Sequence, residues 1–281
     1  MNKMLVTTDF SANSKKGMRF ALRWAAQAKA EIVYLHCFQA LIPTTLHVSK
    51  MEEAIWKQTK GWQQKLEKFV RRLHAQTGLN DADLPHYQCV VIEGVSPTEA
   101  IMDYAEAHRF DFICMSARGA GLVKKIIGTN TSVVLTQSRV PVLAVPQNYR
   151  SQPVRKLLYA SDLENFDIEM EKALKVASSV GAELGLLHFY APSVMAVAPG
   201  ELLKNWKKRF PALAEAVLAQ LDSSQGFVGQ LEKELRKLKP DVVLFFTQPN
   251  QTWFDKIFRV SRTEMFSFST KFPMLVIRKG A

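Results

Sequence analysis

The sequence predicts an α/β fold built twice, and three observations carry that expectation. Short apolar runs alternate with amphipathic stretches, the pattern of a parallel sheet with helices on both faces. The pattern then restarts: Lys156 to Asp162 answers Lys3 to Asp9, Leu187-His188-Phe189-Tyr190 answers Leu35-His36-Cys37-Phe38, and Pro240 to Leu244 answers Phe110 to Cys114. Pro273 to Ile277 answers Pro141 to Val145 in the same way. Finally, 281 residues suffice for two domains that each bury a core. The expected domains are residues 1–148 and 154–281, joined by a short polar linker.

Each element has its own reason. Leu5 to Thr8 reads as a strand ending at Asp9, and Ser11 to Ser14 offer caps for a helix with Met18, Ala21, Leu22 and Ala25 at helical spacing. Ile32 to Phe38 is a near-continuous apolar run, as in a strand covered on both faces. A long amphipathic helix follows from about Met51, burying Ile55, Trp62, Leu66, Phe69, Val70 and Leu73 and stopping at Gly78. Tyr87 to Ile92 is the third strand. Ser96, Pro97 and Glu99 then fit a capping box with proline at the first helical position. Asp111 to Met115 is the fourth strand, and Pro141 to Pro146 the fifth, its prolines suiting an edge. In the second half, Glu215 to Leu221 fits either a strand or the tail of a helix.

Composition narrows the function classes. The chain is 47% hydrophobic and 22% charged, which is globular rather than disordered. No apolar run reaches the roughly 20 residues of a spanning helix, and the start shows no signal-peptide core, so a cytoplasmic protein is expected. Cys37, Cys89 and Cys114 lack CxxC or metal spacing and read as reduced core residues. The net charge of +11 is spread over Lys15-Lys16, Arg71-Arg72, Lys124-Lys125 and Lys207-Lys208-Arg209, which favours solvated helix faces over a nucleic-acid site.

The stretch around which the chain is organised is Asp111 to Gly121, running on to Gly128-Thr129. It reads as a buried strand breaking into a glycine-bearing basic loop before a helix. Such a loop can hold a phosphate, because helix N-termini offer unpaired N–H groups and glycine admits close approach. The alternative is that Gly119 and Gly121 only turn the corner. Ligands in parallel sheets bind beyond the C-terminal strand ends, which makes the Thr7-Thr8-Asp9 exit and this loop candidate neighbours. Asp9 has its own alternative as a helix cap. His36 and His188 lie within strands and read as core residues with one nitrogen satisfied, and Trp62, Trp206, Phe266 and Phe268 as packing groups.

In these residues the chain resembles the universal stress protein family in its tandem two-domain form. The resemblance rests on Thr8-Asp9-Phe10-Ser11, the Leu-His second strand, Gly94-Val95-Ser96-Pro97, the strand opened by Asp111 and the terminal Pro-Val-Leu strand. It implies two five-stranded parallel sheets of order 3-2-1-4-5, with repeats or chains pairing through fifth-strand edges. ATP-binding members carry Gly-x2-Gly-x9-Gly-Ser/Thr. Here Gly119 matches the second glycine and Gly128-Thr129 the last pair, Ser116 stands at the first, and eight residues separate Gly119 from Gly128. By position, the resemblance gives Asp9 the adenosine side, the Cys37 backbone the adenine, Arg118 a place in the loop, and Gly128, Thr129 and Asn130 the phosphate end. Thr8 and Met115, at the ends of the first and fourth strands, complete the candidate set.

The function so implied is stress-response binding of an adenine nucleotide, ATP foremost, in the N-terminal domain and without dedicated catalysis. Whether Mg2+ accompanies the phosphates is open at this point. After Asp241 to Phe246 the second repeat has Thr247 to Phe254 with no glycine and with bulky Trp253 and Phe254, so it is expected to be a degenerate copy. The rival is a nucleotide-free scaffold acting through protein partners. Walker A, HExxH and GxSxG motifs do not occur, which weighs against an enzyme.

Overall fold

A computed structural model describes residues 2–42, 47–117, 129–147, 149, 152–191, 198–247 and 271–279. They form two compact units that part between Gln152 and Pro153. The first unit runs β1 (Lys3–Thr7), α1 (Ala12–Ala28), β2 (Glu31–Phe38), α2 (Val48–His74), β3 (Tyr87–Glu93), α3 (Pro97–Ala107), β4 (Phe112–Ala117), α4 (Thr129–Gln137) and β5 (Val142–Pro146). All its strand pairs are parallel, in the order β3-β2-β1-β4-β5. This is the expected order 3-2-1-4-5.

The apolar runs become strands because both faces are covered. Along β2, His36 packs against Trp62 of α2, while Cys37 joins a cleft with Pro97 and Ile101 of α3. Successive side chains of a strand point to opposite faces, so α2 and α3 lie on opposite sides of this sheet. The long helix is tied to the third strand where the Gln63 amide donates to the Cys89 carbonyl at 3.0 Å.

Ser11 is the N-cap of α1, its hydroxyl accepting from the Ser14 N–H at 3.1 Å. The buried stripe of α1 includes the expected Met18, Ala21, Leu22 and Ala25, and also Phe20 and Trp24. Full burial of one such large side chain is worth roughly 1.5–3 kcal/mol. Close approach is made possible by Gly17. A Cβ there would meet the Cβ and backbone nitrogen of Ser116 in β4 at 3.3 Å, so a side chain at this place would need its neighbours to give by a few tenths of an ångström.

One expectation at α3 is not met. Ser96 is the N-cap and Pro97 the first helical residue, but the Ser96 side chain makes no capping hydrogen bond. Its hydroxyl lies 3.3 Å from the Thr98 hydroxyl instead, and the reciprocal box with Glu99 does not form.

The second unit repeats the arrangement with β6 (Lys156–Ser161), α5 (Phe166–Ser179), β7 (Glu183–Tyr190), α6 (Pro199–Arg209), β8 (Leu213–Gln220), α7 (Phe227–Leu238), β9 (Val242–Thr247) and β10 (Met274–Arg278). Its order is β8-β7-β6-β9-β10, again parallel. The segment that fits either strand or helix tail is β8, paired with β7 from Leu184↔Leu213 to Tyr190↔Gln220.

The aspartate that opens the fourth strand of each repeat has a definite task. Asp111 Oδ2 accepts the Asn2 and Lys3 N–H groups at 2.7 and 2.9 Å. Asp241 Oδ2 accepts those of Arg155 and Lys156 at 2.8 and 3.0 Å. Each carboxylate clamps the start of its first strand against its fourth, and so sets where the two strands end.

Candidate functional site

Because β1 pairs with β4 through Met4↔Phe112, Leu5↔Ile113 and Val6↔Cys114, the two strands leave the sheet side by side. Their ends border a cleft of about 330 Å³. Of the candidate residues, Thr8, Asp9, Cys37, Met115 and Asn130 all line it, together with Ser116, which stands at the first glycine position. Arg118, Gly119 and Gly128 lie outside the described residues. Thr129 opens α4, and its side chain is likewise outside them.

The exit of β1 is a tight, hydrogen-bonded turn. The Thr8 N–H donates to the Leu35 carbonyl at 2.9 Å, the last link of this strand to β2. The Thr8 hydroxyl accepts the Phe10 N–H at 3.0 Å and meets the Ser14 hydroxyl at 3.0 Å. Phe10 stands at φ 62°, a left-handed conformation that bulky residues rarely adopt. Asp9 Oδ1 accepts the Ser11 N–H at 2.9 Å. Asp9 therefore shapes the turn, while the cap of α1 is Ser11. Burial pushes the Asp9 carboxyl upward, but hydrogen bonds from Ser11 and Ser14 outweigh it and hold the pKa below its ordinary value. Asp9 is thus an anion at neutral pH.

Cys37 contributes a half-buried thiol that burial, and secondarily Glu93, push upward, so it stays protonated. Gly94 lets the turn after β3 close over it. A Cβ at Gly94 would meet Ala100 Cβ at 2.9 Å and Cys37 Sγ at 3.5 Å.

Leu35, Ile101 and Thr131 are among the lining positions outside the sequence candidates. Leu35 and Ile101 give the cleft an apolar wall, and the Thr131 hydroxyl donates to the Ser116 carbonyl at 3.1 Å, tying α4 to the end of β4. Their signal is weak, since any buried strand or helix face carries leucine and isoleucine. The result is an apolar slot flanked by hydroxyls, amides and one carboxylate among the described residues. Such a surface suits a flat apolar ring carrying a hydrogen-bonding group. The first residues of α4, Thr129 and Asn130, add the donor end of a helix.

His36 does not line this cleft. Its Nδ1 lies 2.8 Å from the Thr8 carbonyl and its ring faces Trp62. Burial holds the imidazole below its ordinary pKa, with the bond to Thr8 acting in the opposite direction. His188 likewise meets the Ser161 carbonyl at 2.9 Å. Each has one nitrogen satisfied, as expected, with His36 buried and His188 only half-buried. Trp62 packs on Phe10, and Trp206 is buried against Phe166, while Phe266 and Phe268 lie outside the described residues. No group of three His, Cys, Asp or Glu side chains among the described residues is arranged to hold a metal ion.

The second unit keeps the same turn with a different occupant. Asp162 Oδ1 accepts the Glu164 N–H at 2.9 Å, the Ser161 hydroxyl accepts the Leu163 N–H at 3.0 Å, and Leu163 stands at φ 65°. Here Oδ2 receives the Lys279 ammonium at 2.7 Å. That side chain is 2% exposed, and it also reaches Glu164 at 3.5 Å and Glu169 at 3.4 Å. Burial lowers the Lys279 pKa, but the carboxylates around it more than reverse this and raise it. Tyr159 donates to Glu169 and accepts from Ser161. Trp253 and Phe254, which led to the expectation of a degenerate copy, lie outside the described residues.

Known proteins share this architecture. Residues 1–146 match the model of the universal stress protein family. A universal stress protein of Thermus aquaticus, from the QAH/OAS sulfhydrylase 3′ region, is 27% identical over 143 residues, covering 50% of this chain and 96% of that protein. A universal stress protein from Archaeoglobus fulgidus superposes with a TM-score of 0.69 at 18% identity, covering 99% of this chain and 96% of its own. A functionally unknown protein from Pseudomonas aeruginosa superposes with a TM-score of 0.62 at 13% identity, covering 99% and 92%. At these identities the two structures speak for the fold.

Proposed function

The chain belongs to the universal stress protein family, and from that premise we propose that it is a cytoplasmic stress-response protein whose first unit binds an adenine nucleotide, ATP foremost, without turning it over. The observation that carries this reading is the cleft at the paired ends of β1 and β4, where an ionised Asp9 stands beside an apolar slot. Its volume of about 330 Å³ falls within the range of small-ligand sites.

The parts divide the ligand between them. Leu35, Ile101 and Met115 cover the base, with the Cys37 backbone at its edge. Asp9 Oδ2 accepts hydrogen bonds from ribose hydroxyls, which are worth about 1.5–3 kcal/mol for a charged acceptor. The start of α4, with Arg118, Gly119, Gly128, Thr129 and Asn130 as the family pattern implies, takes the phosphates. The reading uses no metal ion. It also assigns no turnover: Asp9 is given to the ribose, and His36 is on the other face of β2.

The test is mass spectrometry of small molecules released from freshly purified, denatured protein, together with calorimetric titration of ATP. A single adenine nucleotide per chain, and loss of binding when Gly128 is replaced by a bulky residue, are expected. If nothing is released and ATP does not titrate, the scaffold reading takes over, as the serine at the first glycine position would then explain.

A further inference from the structure

A buried histidine facing a helix explains itself poorly as packing, since a leucine would fill the same place without a polar ring. His36 is 7% exposed, and its Nε2 has no hydrogen-bond partner among the described residues. Its Nδ1 lies 2.8 Å from the Thr8 carbonyl. A carbonyl can only accept, so the proton sits on Nδ1. That carbonyl belongs to the residue whose N–H makes the last bond of β1 to β2, where the chain turns out of the sheet.

The other side of Asp9 is fixed as firmly. Phe10 is held at φ 62°, and a residue in that region persists only where its surroundings enforce it. Its ring lies 4.5 Å from the His36 ring, stacks on Trp62 at 5.7 Å and 14°, and meets Phe69 edge-on at 5.5 Å. His36 therefore acts twice, holding the carbonyl before Asp9 and supporting the ring after it. The second unit repeats the device on a different sequence: His188 Nδ1 meets the Ser161 carbonyl at 2.9 Å, Leu163 takes φ 65°, and the residue between them is Asp162. In both units the outcome is an aimed carboxylate, toward the cleft in one and toward Lys279 in the other.

We infer that His36 is a positioning residue for Asp9, acting through the Thr8 carbonyl and the Phe10 ring to hold the carboxylate where it meets the ligand. The inference rests on the proposed nucleotide site for its effect on affinity, but the position of Asp9 can be read without ligand.

The experiment compares His36→Asn, which keeps an N–H donor near the place of Nδ1, with His36→Phe, which keeps an aromatic ring and loses the donor. The Asp9 carboxyl is titrated by carbon NMR in the full chain, and ATP affinity is measured by calorimetry. His36→Phe is expected to move the Asp9 pKa up toward the ordinary value of about 3.9 and to weaken ATP about tenfold. His36→Asn is expected to restore both. An unchanged Asp9 titration in His36→Phe overturns the inference, as does an equal loss in the asparagine variant. If His36→Phe does not fold, Phe10→Ala attacks the other bracket, and an unshifted Asp9 in that variant overturns the inference too. Should the wild-type protein not bind ATP, the nucleotide reading fails on that arm while the Asp9 titration still decides the role of His36.

Discussion

The exits of β1 and β6 have the same backbone and opposite fates. Both carry a hydroxyl residue followed by aspartate, a left-handed residue after it, and a histidine from the neighbouring strand on the preceding carbonyl. In the first unit the aspartate borders a cleft. In the second, the corresponding oxygen is taken by Lys279, an ammonium supplied by the chain itself. The difference teaches that a turn and its use are separable. The hydrogen bonds that shape the turn recur in both units, whereas the partner of the carboxylate in the second arrives from far along the sequence.

The largest effect should come from Lys279→Met. Removing one partner of a buried ion cluster leaves Asp162 and Glu169 uncompensated, at a cost of about 3–5 kcal/mol. Urea denaturation should show that loss, with ATP affinity in the first unit unchanged. A cost below about 1 kcal/mol, the range of an exposed pair, would show that the internal cation does not hold the second unit.

Next in size is the pair Asp9→Asn and Asp162→Asn, both measured by ATP calorimetry. The first removes the charge that accepts the ribose hydroxyls and should weaken binding about 10- to 100-fold. The second should leave affinity alone. Equal losses would break the distinction between the units.

The smallest effect is on stability against pH. Burial is the leading cause that holds both His36 and His188 below the ordinary histidine value. A histidine with a depressed folded pKa binds its proton more readily when unfolded, so stability is fully present above about pH 6.5 and declines as pH falls through that value. Denaturation midpoints between neutral and mildly acid pH should therefore drop for the wild-type chain. Phe at His36 and at His188 should each remove part of the dependence. If only one does, the two turns are not equivalent. Asp9 adds a loss at lower pH, since its folded pKa lies below the ordinary carboxylate value.

Much of this was legible in the residues, and what was not shares one physical cause. The parallel sheet followed from alternating apolar runs and the repeat from matched segments, because those signals are local and redundant, while the strand order came with the family resemblance. The candidate cleft residues at strand ends were legible for the same reason: in a parallel sheet the exits of neighbouring strands converge. The role of Asp111 and Asp241 was not, since it depends on backbone N–H groups more than 80 residues away. Lys279 was invisible for the same reason, standing 117 positions from Asp162. The capping box at Ser96 failed differently. Its residues fit the pattern, but the nearby Thr98 hydroxyl offered a competing partner. The β8 segment could be assigned only by its pairing, because a short, mostly apolar run without clear alternation does not separate a strand from a helical tail.

The stacking of Trp62 on Phe10 has an optical consequence. An indole beside the Asp9 turn, with the Lys65 ammonium 4.3 Å above its ring, emits in a field set by the geometry of that turn. Trp56, 55% exposed on the same helix, emits from water. One helix thus carries a fluorophore that reads the turn and another that reads solvent, a built-in sample and reference.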